Sequence, residues 1–172
     1  MSLNLFGVTS YAADFYLGPQ FGKTSYTPPT GEKDRVSEYS YGGDVMAFKG
    51  PYGAGFHLSY LPYPTDGNAT VSVQQSDLLM TLEAKYRYEF NNHINPYVTF
   101  GAGSLYKTVK SSVMGMSEKS SDFYFVQDIG LGIMGVLFKD FGYNAAVKYY
   151  QYSNVDGYNY TLSLGYFSSH IL

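Results

Sequence analysis

The sequence predicts an all-β chain, an eight-stranded antiparallel up-and-down β-barrel that crosses a membrane. Three observations carry this expectation. An unbroken two-residue alternation runs from Leu78 to Phe90, weaker copies of it recur along the chain, and the connections between them alternate long and short.

In the first of these, Leu78, Met80, Leu82, Ala84, Tyr86, Tyr88 and Phe90 share one parity, while Thr81, Glu83, Lys85, Arg87 and Glu89 take the other. Successive side chains of a strand point to opposite faces, so this is a strand with one apolar and one charged side. Wound at about 100° per residue, the same apolar residues would scatter around a helix and leave the charges no face of their own. The run exceeds the usual strand of about 5–6 residues and meets the roughly 9–11 needed to cross a bilayer at a tilt. Its apolar face ends in Tyr86, Tyr88 and Phe90 beside the NNHIN turn, where an interfacial aromatic girdle belongs.

Composition agrees. Tyr and Phe, 20 and 12 in number, suit a barrel wall and its interfaces, and charged residues make up only 15% against about 25% in soluble domains. A chain of 172 residues has room for one domain. The net charge of -3 and the lack of a basic stripe argue against nucleic acid as a partner. No apolar run is long enough for a spanning helix, and zero Cys rules out a disulfide framework or thiolate metal ligands. Residues 1–13, MSLNLFGVTSYAA, read as the remnant of an export signal, with Ser10 and Ala12 at the spacing of a cleavage site.

In chain order, residues 14–26 alternate Phe15, Leu17, Pro19 and Phe21 against Tyr16, Gly18, Gln20 and Gly22, with a bulge expected at Pro19 because proline removes a ladder hydrogen bond. Residues 27–38 form a long loop. Residues 39–49 form a weaker strand whose inward face the pattern leaves open, and Gly50-Pro51 turns the chain into a third strand at 54–63. A second long loop, 64–76, with some strand at its end, precedes the fourth strand at 78–90; the fifth follows NNHIN and points Tyr97, Thr99, Gly101 and Gly103 inward. Residues 109–121 are the third long loop. The sixth strand, 123–138, sets Phe123, Phe125, Ile129, Leu131, Ile133 and Leu137 outward, interrupted by Gln127; the seventh is 143–153 with Lys148 inward. NVDG leads to the eighth at 158–167. Long loops outside and short turns inside are the pattern of an outer-membrane barrel.

The segments KYRYEFNN (85–92), NPYVTFGAG (95–103), DIGLGIMG (128–135), VKYYQYS (147–153) and YTLSLGYF (160–167) resemble the OmpA/OmpX/Ail group of small outer-membrane barrels. The resemblance runs from about Phe15 to Phe167, within a barrel domain expected over residues 14–167, and implies export through the periplasm to the bacterial outer membrane, contact with outer-membrane lipid and lipopolysaccharide, and loops that meet a host or other extracellular ligand. It leaves the oligomeric state open. Such proteins usually end in an aromatic residue, whereas this chain continues past Phe167 as an extension, 168–172.

Two groups of residues are candidate sites. Glu83, Lys85, Arg87 and Glu89, with Asp128 and Lys148 from neighbouring strands, form an expected polar network inside the barrel. A barrel of eight strands is only just wide enough for its own side chains, so this network is expected to plug the lumen rather than gate it. In the third loop, Val113, Met114 and Met116 with Glu118, Lys119 and Lys110 suggest an adaptable apolar centre with a charged rim, the expected contact surface. No metal and no cofactor is expected, since His57, His93 and His170 lack ligand spacing.

Two rival readings stand beside this. Gln151-Tyr152-Ser153 is similar to the His-x-Ser segment of outer-membrane lipid A deacylases, but Gln151 replaces the base and cannot take a proton, so no catalytic residue is assigned. A soluble lipocalin-like barrel would instead turn the apolar face inward on a ligand and put Glu83, Lys85 and Arg87 in water.

Overall fold

The computed structural model describes residues 13–26, 36–63, 66–67, 71–91, 93–114, 116–153 and 155–171. Its strands are β1 (Ala13–Tyr26), β2 (Val36–Lys49), β3 (Tyr52–Pro62), β4 (Asp66–Gly67), β5 (Val71–Arg87), β6 (Asn95–Val113), β7 (Met116–Phe138), β8 (Phe141–Tyr152) and β9 (Val155–Ile171). The eight long strands are antiparallel, and pairing of β1 with β9 and of β3 with β5 closes them into a barrel. The two-residue β4 is a rung on β5. No helix of the described residues is long and apolar enough to cross a membrane.

The alternation decides the barrel's polarity. Leu82, Phe123, Ile129 and Leu131 are exposed on the outside, Leu131 at 66%, whereas Glu83 is 3% exposed on the inside. Apolar outside and polar inside is the arrangement of a barrel in hydrocarbon. It excludes the lipocalin-like reading, which requires the reverse.

Pro19 does not cause the expected bulge. It pairs in register with Gly43 on β2, and on the β9 side the register is the same before it (Leu17 with Tyr166) and after it (Gln20 with Ser163). The irregularity of this strand pair lies instead between Ala13 and Phe15.

The connections also differ from expectation. The stretch 109–121 is no loop: β6 and β7 continue through it in register to a turn at Met114, where φ is 49°. Nor is NVDG a loop, since β8 ends at Tyr152, β9 starts at Val155, and Ser153 turns with φ of 50°. Tight hairpins favour left-handed turn residues, and Met-Gly and Ser-Asn are weaker cues than Asn-Gly. The strand expected at the end of 64–76 is present and takes up 71–76. Residues 27–35, most of 64–70 and the segment 1–12 lie outside the described residues.

Because β5 and β6 pair up to Val71 and Val113, while β8 leaves β7 at Val126, a sheet of β5, β6 and β7 stands beyond the barrel. Among the described residues, the Met116–Phe125 part of β7 has β6 on one side and no strand on the other.

Candidate functional site

The lumen is layered. At the end of the short turns, Tyr16, Met46, Phe48, Tyr97, Met134, Ala146 and Phe167 pack as one apolar cluster, and at the other end Leu61, Leu79, Leu105, Val126, Tyr150, Tyr152 and Val155 pack as a second. Between them lie Glu83, Lys85, Lys148, Asp128 and the Asp44–His57 pair, all buried, while buried Asp77 lies against the second cluster, hydrogen-bonded to Tyr63. Gly132 lets the lower layer close, because a Cβ there would enter the Tyr97 ring.

Glu83 is the centre of the polar layer. Lys85 from its own strand and Lys148 from β8 both donate to its carboxylate, and Thr99 adds a hydrogen bond at 3.3 Å. Lys85 also lies 4.9 Å from the centroid of the Tyr97 ring. Asp128 is buried on the wall nearby, its Oδ1 without a hydrogen-bond partner among the described residues. Glu83, Lys85, Lys148 and Asp128 thus share the lumen.

Arg87 and Glu89 do not belong to this layer. β5 ends at Arg87, and Glu89 lies past it with its side chain 55% exposed. The alternation had carried Glu89 inward only because it was continued beyond the strand. Arg87 instead fastens the barrel end: its Nη2 reaches Asp14 at 2.6 Å and Glu89 at 2.9 Å, donates to the Gly50 carbonyl at 3.2 Å, and its guanidinium covers the Phe48 ring at 4.6 Å.

A second buried group was missed by sequence reasoning. Asp44 meets His57 Nδ1 at 2.8 Å and accepts from Asn144 at 3.3 Å, and Tyr97 donates to Asn144 at 2.7 Å. The inward face of residues 39–49 could not be read because Val45, Met46, Ala47 and Phe48 leave no alternation. The turn was the usable signal: folding β2 on β3 about Gly50-Pro51 sets Asp44 opposite His57.

Two apolar layers leave an ion no wetted path. The protein is therefore expected to show no steady porin-sized conductance in planar bilayers. A stable large open state would contradict this packing.

The deacylase-like residues face away from the lumen. Gln151 is exposed on the outer wall, in register with Gln127 and Asp156, and Ser153 is exposed in the adjoining turn. No group of His, Asp and Glu among the described residues has the geometry of a metal site. On the outer wall, Tyr86, Val98, Leu131, Ile133, Ala145 and Val147 line an open apolar groove of about 780 Å³, a surface suited to acyl chains.

The loop candidates are split by the hairpin. Val113, Met116 and Glu118 fall on the parity that faces the lumen lower down, Lys110 and Lys119 on the opposite one, and Met114 sits at the turn. An apolar centre ringed by these charges is therefore not formed. Val113, Met114 and Met116 are all exposed.

The outer membrane protein beta-barrel domain model matches residues 3–167. The chain belongs to that family. Membership places this outer-membrane barrel protein in the bacterial outer membrane. Solved structures agree in fold. Ail, the attachment invasion locus protein of Yersinia pestis, superposes with a TM-score of 0.65 at 15% identity over 91% of this chain and 99% of that one. Neisserial surface protein A gives 0.63 at 11% identity, over 88% and 96%. The N-terminal β-barrel domain of Pseudomonas aeruginosa OprF gives 0.56 at 16%, over 92% and 98%. No curated protein sequence matches the chain.

Proposed function

We propose that this outer-membrane barrel protein is a surface-contact protein, with the barrel as anchor and the protruding β5–β6–β7 sheet as the part that meets an extracellular or host ligand. The observation that carries the reading is the sheet itself. Every residue from Met116 to Phe123 is exposed, Val71, Val73, Val113, Met114 and Met116 present apolar side chains outside the barrel, and among the described residues no strand pairs with the outer edge of β7 there. Strands below are held by lipid on one side and packing on the other, so recognition falls to the parts beyond the membrane. Ail, similar in fold, is named for attachment and was also solved with the heparin analogue sucrose octasulfate. The lumen network acts in this reading as a filler that neutralises buried charge, and no catalytic step is assigned.

The test replaces residues 111–120 with a short Gly-Ser linker and measures attachment of cells displaying the protein to host cells and matrix. Folding, followed as heat-modifiable mobility in gels, is expected to persist, and attachment to fall roughly tenfold or more, as when a central contact cluster is removed. Loss of folding, or unchanged attachment, would remove the hairpin as the contact surface.

A further inference from the structure

On the protruding sheet, Lys110 of β6 stands directly opposite Lys119 of β7. The rungs on either side pair Ser112 with Ser117 and Thr108 with Ser121, and β5 adds Gln74 opposite Lys110. The nearby carboxylates, Asp77, Glu118 and Asp122, all have the other parity and so lie on the other face. Both lysines are exposed, and among the described residues neither makes an ion pair.

Like charges directly opposite each other on a sheet repel and weaken the pairing. Among the described residues the repulsion has no carboxylate on its face to relieve it, only hydroxyls and one amide, which are neutral donors suited to an oxyanion. An anion between the two ammonium groups would remove the repulsion and gain charge-assisted hydrogen bonds.

Which anion follows from where this face points. It is the same face that carries Phe100, Phe123 and Phe125 in the wall. Tyr106 packs on Phe123 with ring centroids 4.6 Å apart, and Lys110 lies four residues further along β6, about 14 Å at the rise of an antiparallel strand. The lysine pair therefore faces sideways, just above the aromatic belt, into the headgroup layer of the surrounding lipid. A ligand arriving from the medium over the barrel mouth would meet the opposite face first.

We propose that Lys110 and Lys119 form a two-point clamp for phosphate groups of the lipopolysaccharide around the barrel. The site rests on the outer-membrane placement of the chain and is independent of whether the hairpin also attaches to a host ligand. By holding phosphates about halfway along the hairpin, it fixes how far the hairpin stands above the leaflet.

The test uses the full chain in phospholipid nanodiscs free of lipopolysaccharide, titrated with lipopolysaccharide and with the same material after enzymatic removal of its phosphates. The wild type is expected to bind the phosphorylated form roughly tenfold or more tightly, the preference falling with added salt. The double variant Lys110→Gln with Lys119→Gln should bind both forms as the wild type binds the dephosphorylated one. Lys139→Gln, which removes one positive charge at the other end of the barrel, should leave the preference unchanged. A melting curve gives a second readout with opposite signs: without lipopolysaccharide Lys119→Gln is at least as stable as wild type, because repulsion is relieved, and with it the variant melts lower. The proposal is overturned if the double variant keeps the phosphate preference, or if its only defect is in binding a soluble sulfated polysaccharide.

Discussion

Glu83→Ala is expected to destabilise the folded barrel by roughly 3–5 kcal/mol, because it removes the carboxylate to which two buried ammonium groups both donate. Lys85 would keep Thr99, at 3.5 Å, and the face of Tyr97, while Lys148 would lose the carboxylate it donates to. Neither can move its charge to water, since apolar layers close both ends. Urea unfolding in lipid vesicles measures the loss. The triple replacement Glu83→Leu, Lys85→Met and Lys148→Leu provides the contrast, because exchanging a buried ion triad for apolar groups of similar volume is often neutral or stabilising. If Glu83→Ala unfolds at the same urea concentration as wild type, the middle of the barrel is wet and the two apolar layers do not seal it.

Leu131→Arg should cost roughly 2–4 kcal/mol, the penalty of a charge on the lipid face near mid-bilayer. Leu131 is 66% exposed, and its register neighbours are Val98 and Val147. In a soluble protein a substitution at so open a position would change stability by about 0.5 kcal/mol or less. Val113→Arg, on the protruding hairpin, is the internal control and should fall in that small range. Both are read by urea unfolding in phospholipid vesicles. Equal effects at the two positions would mean that residue 131 does not face hydrocarbon.

How much of this was legible follows from where lipid supplies a signal. Residues 78–90 and 123–138 could be read because one face of each meets hydrocarbon and the other the lumen, and that contrast writes an alternation into the sequence. The hairpin at 109–121 hides for the same reason. Beyond the membrane both faces of a strand are wet, Lys and Ser serve on either parity, and the pattern becomes that of a loop. Only the continuing register with β5 reveals it. Glu89 shows the opposite failure, an alternation that outlasts the strand. The apolar layers were invisible because Tyr16, Phe48 and Tyr97 face the lumen at positions where the barrel argument expects polar residues, and only their mutual packing explains them.

The contact between Glu83 and Lys148 joins residues 65 apart in sequence across the inside of the barrel. Glu83 and Lys85 sit on one strand and can pair as soon as that strand forms, whereas Lys148 joins them only once the C-terminal strands have curled round. A slip of β8 by one residue would swing Lys148 out into hydrocarbon and strand Glu83 with one partner. A slip by two would restore the faces but move the ammonium group about 7 Å along the wall, out of reach. Apolar outer surfaces tolerate either shift of two, since one Leu or Tyr replaces another against lipid. The charged cluster therefore acts as an alignment mark, rejecting closures that the greasy exterior alone would accept.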